Sequence, residues 1–260
     1  NLTIFFPIVF PFAERLKIIS FINKILMIAR IRIKIWSLGF KNYILWFYTP
    51  KSAYLMGRLN EKLIVYDIMD EHSKFNGAPQ DIKEVEKKLI EKSNIVFTGT
   101  KKLWETKRRF NPNSFFSPCG VDYPHFAKAQ PPSPLLCKEG LGEVEFASIN
   151  LPIIGYIGAV DDRLDYNLIR TMAEIHPEWS IVFIGPLIGV RRTDLQEKKN
   201  IFYLGSRKYQ DLPSYIKHFN VCIMPFVKNP LTDKINPTKA LEYMAAGKPI
   251  VSTPIPDMIE

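Results

Sequence analysis

The sequence predicts an α/β protein with two parallel-sheet domains in tandem. Short apolar runs of strand length alternate with polar, helix-compatible stretches, which is the signature of βαβ units. The alternation breaks once, in a Pro- and Gly-rich segment after Ala127, and then resumes. With 260 residues, 47% apolar and 23% charged, the chain can bury two cores and is not a disordered polymer.

Taken in order, residues Arg15–Trp36 carry Leu16, Ile19, Ile22, Leu26 and Ile33 between lysines and arginines, which predicts a long basic amphipathic helix stopped at Gly39. Strands are expected at Tyr43–Tyr48, Leu63–Tyr66 and Ile95–Thr98. A helix is expected at Asp81–Lys92, where acids come early and lysines late, as the helix dipole prefers. Residues 1–127 form the first domain on this reading. Residues 128–150 read as a linker or insertion, since Gln130-Pro-Pro-Ser-Pro and Lys138-Glu-Gly-Leu-Gly sustain no period. The second domain, 151–260, alternates strands at Pro152–Ile157, Ser180–Ile184, Ile201–Leu204, Val221–Met224 and Pro249–Ser252 with helices near Asp165–Ile175, Gln210–His218 and Pro237–Ala246. In open parallel sheets ligands sit outside the carboxyl ends of the strands, so the residues just after each apolar run are the candidates for function.

Composition narrows the partners. The net charge of +9 favours phosphates, acidic ligands or an anionic membrane surface, and nothing in the pattern selects nucleic acid. Lys17, Lys24, Arg30, Arg32 and Lys34 interrupt the apolar N-terminal region, so no stretch there spans a bilayer. The helix over 15–36 is instead a candidate for peripheral contact with anionic headgroups, or simply a surface helix with a solvated basic face. Cys119, Cys137 and Cys222 are odd in number and far apart, which offers no disulfide framework or metal knuckle and suggests a reducing, cytoplasmic setting. The chain opens on Asn1 and stops at Glu260 straight after an apolar run and a turn, as a piece of a longer protein would.

The most specific segment is Asn236-Pro-Thr-Lys-Ala-Leu-Glu-Tyr-Met-Ala-Ala-Gly-Lys-Pro-Ile-Val-Ser-Thr253, a loop, helix and strand. Pro237 suits the first helical turn and Gly247 the helix C-terminus. The amides of Thr238 and Lys239, the dipole and the Lys239 ammonium together make a phosphate site. One turn on, Glu242 shares a face with Lys239, where a carboxylate can accept hydrogen bonds from the two hydroxyls of a ribose. The plain alternative is an exposed ion pair.

This segment resembles the donor-nucleotide motif of the GT-B glycosyltransferases of the family-4 type, roughly P-x-K-x-x-E-Y-x-A-x-G-x-P-V-V. Pro237, Lys239, Glu242, Tyr243, Ala245, Gly247, Pro249 and Val251 occupy the marked positions. Gly155-Tyr-Ile-Gly158, Trp179–Pro186, Tyr203-Leu-Gly-Ser-Arg207, Val221–Phe226, Asn94–Thr100 and Pro118-Cys-Gly-Val-Asp122 agree in order. The resemblance covers about 43–126 and 151–260. It implies two Rossmann-like domains, both incomplete at the chain ends: the first strand and glycine-rich loop would precede Asn1, and further helices would follow Glu260.

The resemblance also implies roles. Lys239 and Arg163 would be catalytic, facing the charge on the departing diphosphate, while Gly158, Arg207, Asn236, Pro237, Thr238, Lys239 and Glu242 would bind the donor. At the end of the second strand, Asp67, Asp70 and His72 are candidates for acceptor binding, with a solvated turn as the alternative; mixed spacing and a single histidine argue against a metal. Two positions depart from the family. Lys234, beside Asp233, stands where many members have a glutamate eight residues before the ribose-binding one, which leaves the donor sugar and stereochemistry open. Cys119 replaces the asparagine of P-N-G and reads as a buried small thiol.

The implied activity is glycosyl transfer from a nucleotide diphosphate sugar to an acceptor hydroxyl in cell-surface polysaccharide assembly, without metal or cofactor, on a lipid-linked or polysaccharide acceptor. Asn236-Pro-x-Lys and Tyr66-Asp-x-x-Asp70 are nearest to bacterial teichuronic-acid and exopolysaccharide enzymes. A nucleotide-sugar epimerase and a non-catalytic nucleotide-binding fragment stay open as alternatives. No G-x-G-x-x-G follows any strand, which argues against a dinucleotide enzyme.

Overall fold

The computed structural model describes residues 4, 17–75, 77–129, 149–191, 193 and 198–259. The chain divides into two compact units, Asn1–Ser117 and Pro118–Glu260. The expected linker lies almost wholly outside the described residues, as do Arg15 and Leu16 of the expected basic helix. Phe126 and Ala129 are buried in the second unit's core, so the division falls earlier than an end of the first domain at 127.

The first unit holds a fully parallel sheet in the order β1-β2-β3-β4, formed by Ile44–Phe47, Leu63–Ile68, Ile95–Thr98 and Ser114–Phe116. Strand β2 runs two residues beyond the expected Tyr66, and β4 was not foreseen. Parallel register pairs Trp46 with Val65 and Asp67 with Phe97, which sets the two faces. Phe47, Tyr66, Ile68 and Val96 point into a core with Leu89 and Ile90 of α2 (Ile82–Lys92) and Leu103 of α3 (Lys101–Lys107). Helix α1 spans Lys17–Ser37. Gly39 follows it at φ +66°, in the left-handed region where a side chain is strained, and so ends the helix as expected.

A buried ionic cluster ties this unit together. Lys107 Nζ lies 3.0 Å from Glu71 Oε1 and 2.5 Å from Glu86 Oε2, and the Tyr66 hydroxyl donates to Glu86 at 3.0 Å. Burial, followed by the Glu86 charge, pushes the Tyr66 phenol far above its ordinary range, so it stays a donor. None of the cluster was legible in the sequence, because its members are remote in the chain.

The second unit contains a five-stranded parallel sheet in the order β7-β6-β5-β8-β9, comprising Ile153–Ile157 (β5), Ser180–Ile184 (β6), Ile201–Gly205 (β7), Val221–Met224 (β8) and Ile250–Ser252 (β9). Strands β5 and β6 are buried along their whole length, as expected of a sheet covered on both faces. Among the described residues its helices include α4 (Tyr123–Phe126), α5 (Tyr166–Ile175), α6 (Leu212–Ile216), α7 (Thr238–Ala245) and α8 (Pro256–Ile259). The Asp165 carboxylate accepts from the Leu168 amide at 2.9 Å, the N-cap expected for α5. The strand order matters for function. From β5 the chain adds strands on one side, then on the other, so the direction reverses between β5 and β8. In open parallel sheets such a switch point is where ligands bind.

Candidate functional site

Two close approaches shape the carboxyl end of β5. A Cβ on Gly185 would lie 1.8 Å from the Gly158 carbonyl oxygen, so the turns after β5 and β6 can meet only because Gly185 has no side chain. The Gly158 amide donates to Ile184 at 2.9 Å across the same junction. Gly158 thus lies at the junction of the two turns, packed between Gly185 and the Tyr156 hydroxyl.

The loop after β5 is then sewn to the loop after β8. The Asp165 amide donates to the Pro225 carbonyl at 2.7 Å and the Val227 amide to the Arg163 carbonyl at 2.9 Å. The Phe226 amide reaches Thr253 Oγ1 at 3.1 Å, adding the end of β9. Arg163 is fixed there by Asp161, whose carboxylate accepts from Nε at 2.9 and 3.0 Å and from Nη2 at 2.6 Å. Asp161, almost fully buried, was not recognised from sequence; an acid two residues before the arginine was the available signal.

Tyr243 places the motif helix α7. Strand β5 pairs with β8 only at Ile154 and Gly155, which leaves the Ile157 amide without a ladder partner on that side. The Tyr243 hydroxyl takes that place, accepting from the Ile157 amide at 2.7 Å and donating to the Ile157 carbonyl at 3.3 Å. The ring is fully buried, and desolvation holds its phenol well above the ordinary tyrosine range. At the other end, Gly247 (φ +68°) donates to Met244 and Lys248 to Tyr243, both at 3.0 Å, the paired bonds that finish a helix. Lys248 also donates to the carbonyls of Lys217 and Phe219 at 2.7 and 2.8 Å, capping α6.

Each expected donor-site residue can now be placed. Pro237 is the N-cap of α7 rather than its first helical residue, with Asn236 before it. The Thr238 amide, expected to be open to an anion, donates to the Asn236 carbonyl at 2.9 Å. Lys239 Nζ sits 2.9 Å from Glu242 Oε2 and 3.2 Å from Oε1, so the ion pair is formed; the side chains are 29% and 13% exposed. Arg207 follows β7, donates from Nε to the Tyr215 hydroxyl at 2.7 Å and lies over the Tyr215 ring. His125 of α4, not singled out from the sequence, stacks on Tyr209 at 4.7 Å, and the Tyr209 phenol is raised by desolvation and by the charges of Asp122 and Glu242. Cys119 is half-buried, not the buried thiol expected, whereas Cys222 is buried, its thiol pushed up to about 12.

In the first unit, Asp67 lies inside β2, its pKa raised by desolvation against a lowering hydrogen bond from Trp46. His72 begins a 3-10 turn, and Glu71, between Asp70 and His72, turns inward to Lys107. Among the described residues, no group of three or more His, Cys, Asp and Glu side chains is arranged to hold a metal.

Residues 151–260 match the family model described as "Glycosyl transferases group 1". The chain is 30% identical over 107 residues to TuaH of Bacillus subtilis (strain 168), named as a teichuronic acid biosynthesis glycosyltransferase; this is 40% of the chain and 27% of TuaH. The chain thus spans about a quarter of that relative. Among solved structures it superimposes on Anabaena Alr3699/HepE in complex with UDP and glucose, with TM-score 0.66 and 15% identity, over 86% of this chain and 61% of that one. An E. coli trehalose-6-phosphate protein bound with UDP-2-fluoro glucose gives TM-score 0.61 and 15% identity, over 92% and 64%. The fold is that of the GT-B glycosyltransferases, and the similarity to the group 1 glycosyl transferases is carried by residues 151–260.

Proposed function

We propose that this chain is part of a glycosyltransferase that moves a sugar from a nucleotide diphosphate sugar to an acceptor hydroxyl in cell-surface polysaccharide assembly. The observation that carries this reading is the seating of α7 on the end of β5 by Tyr243, which sets Lys239 and Glu242 at the switch point of a group 1 domain. Lys239 and Arg163 face the diphosphate, and Glu242 takes the ribose. Negative charge builds on the β-phosphate as the glycosidic bond breaks, so fixed cations there lower the barrier without a metal or a cofactor. The Lys239–Glu242 pair is partly exposed and worth under about 1 kcal/mol, so donor binding exchanges it at little cost. Arg163, in contrast, is already oriented by Asp161. Asp67, Asp70 and His72 serve a lipid-linked or polysaccharide acceptor on the first unit.

Helix α1 would bring the enzyme to the inner face of a membrane. Phe21, Ile25 and Trp36 are exposed beside Lys24, Arg30, Arg32 and Lys34, and no helix among the described residues is long and apolar enough to cross a bilayer. Isothermal titration with UDP and GDP, with nucleotide release from a panel of nucleotide sugars, tests the main proposal. Saturable binding of one nucleotide and its release from one sugar donor are expected. Absence of binding by either nucleotide refutes it.

A further inference from the structure

The loop after β7 holds a tyrosine that is pinned in place and still half open to solvent. The His125 ring stacks on the Tyr209 ring with centroids 4.7 Å apart and planes at 14°. The Phe126 ring stands nearly perpendicular to both, 5.0 Å from His125 and 5.6 Å from Tyr209, so it flanks the stack at its side. Phe126 is fully buried in the second unit's core, which anchors the pair. His125 Nε2 also lies 2.9 Å from the Tyr209 carbonyl oxygen, where the imidazole donates and holds the backbone as well as the ring. Despite these contacts Tyr209 is 45% exposed. With one face against His125 and one side against Phe126, that exposure belongs mainly to the outer face of the ring.

The position of this ring suits one part of a nucleotide. Tyr209 opens the 3-10 turn that follows β7, at the carboxyl end of the sheet where ligands of such folds sit. Helix α4, which carries His125, packs against both α6 and the motif helix α7. The Tyr209 phenol is raised first by desolvation and then by the charges of Asp122 and Glu242, so Glu242 lies within electrostatic range of it. A nucleotide whose ribose hydroxyls meet Glu242 carries its base on the ribose carbon remote from the phosphates. That base is a flat ring that needs an apolar surface close to Glu242. Bases stack favourably on aromatic side chains, and a ring already ordered by its neighbours loses little freedom when it is covered.

We infer that Tyr209 is the stacking platform for the nucleobase of the donor, and that His125 is the residue that positions it. This deepens the glycosyltransferase reading and rests on it for the presence of a nucleotide. Every base has a flat face, so Tyr209 adds affinity without choosing between uracil and guanine, and that choice falls to polar contacts elsewhere.

Isothermal titration of the whole chain with UDP, GDP and inorganic pyrophosphate at constant ionic strength separates the base from the phosphates. The nucleotide that binds the parent should bind Tyr209→Ala roughly tenfold more weakly, whereas pyrophosphate, which has no base, should bind both alike. Tyr209→Phe keeps the flat ring and should stay within about twofold of the parent, which keeps the comparison decisive even where pyrophosphate binds too weakly to titrate. His125→Ala should lose part of the nucleotide affinity and none of the pyrophosphate affinity, a split that a general loss of structure would not give. Melting temperatures show that the three variants fold. Equal nucleotide affinity in the parent and Tyr209→Ala, parallel losses for nucleotide and pyrophosphate, or a Phe variant as weak as the Ala variant overturns the inference. In each of those cases the parent still binds nucleotide, so the donor reading stands. If the parent binds neither UDP nor GDP, both fall together.

Discussion

Replacing Tyr243 with Phe removes one oxygen atom and tests how the motif helix is held. The ring is fully buried and keeps its packing, so no large cavity forms. What is lost is the partner of the Ile157 amide, 2.7 Å away, on the side of β5 where the pairing with β8 has already ended. A buried amide left without a partner costs about 1–3 kcal/mol. For a chain of this size, roughly 2 kcal/mol lowers the melting temperature by about 4–8 °C. Calorimetry on the whole chain measures this, with Tyr243→Leu as the variant that also opens a cavity and should lose more. The same loss frees the start of α7 from the end of β5, so UDP affinity should fall even though Tyr243 need not touch nucleotide. A melt at the parent's temperature would refute the argument that the hydroxyl stands in for a missing strand. A lowered melt with unchanged UDP affinity would show that α7 needs no such anchor to present Lys239 and Glu242.

Other outcomes follow from the same structure. Lys239→Ala should lower turnover roughly a hundredfold, about 3 kcal/mol, whereas Glu242→Ala should chiefly raise the donor KM; both should melt close to the parent, since their mutual pair is partly exposed. Steady-state kinetics and circular dichroism check both, and unfolding of both variants would reduce the pair to a structural role. Asp67 has a raised pKa in the folded state, so protonation favours folding: its stabilising contribution is complete below the unfolded value and is lost as pH rises through the folded one. Asp67→Asn should therefore stabilise the chain at neutral pH, with the gain vanishing in acid, as denaturant titrations at two pH values would reveal. Cys222, its thiol pushed up to about 12 and buried, should resist iodoacetamide at pH 8 until denaturant is added, as peptide mass mapping would show. Helix α1 should bind anionic vesicles more strongly than neutral ones in sedimentation, and equal binding to both removes the basic face from the account.

Much of the fold could be read from local pattern. The strand cores at Ile153–Ile157 and Ser180–Ile184 are continuous apolar runs because both sheet faces are covered, and their ends match the structure closely. Strand β4, only three residues long with two of them exposed, offered no comparable signal. The extension of β2 through Asp67 was hidden for a different reason. An acid ends an apolar run in sequence, yet here it sits in register with Phe97 on the face away from the core.

At the site, the residue types were legible and their partners were not. Pro237, Lys239, Glu242 and Gly247 declare a loop, a helix start, a charge pair and a helix end, since each acts through its own backbone or within one helical turn. The sequence by itself therefore determined the βα alternation, the second unit's family resemblance and the position of the motif helix. Only tertiary structure decided that Tyr243 completes the edge of β5, that Asp161 orients Arg163, that Thr238 spends its amide locally, and that Glu71 turns inward to Lys107. The physical reason is range. Helix and strand propensities depend on neighbours a few residues away, whereas a hydrogen bond from residue 243 to residue 157 exists only once the strand order has set both at the same end of the sheet.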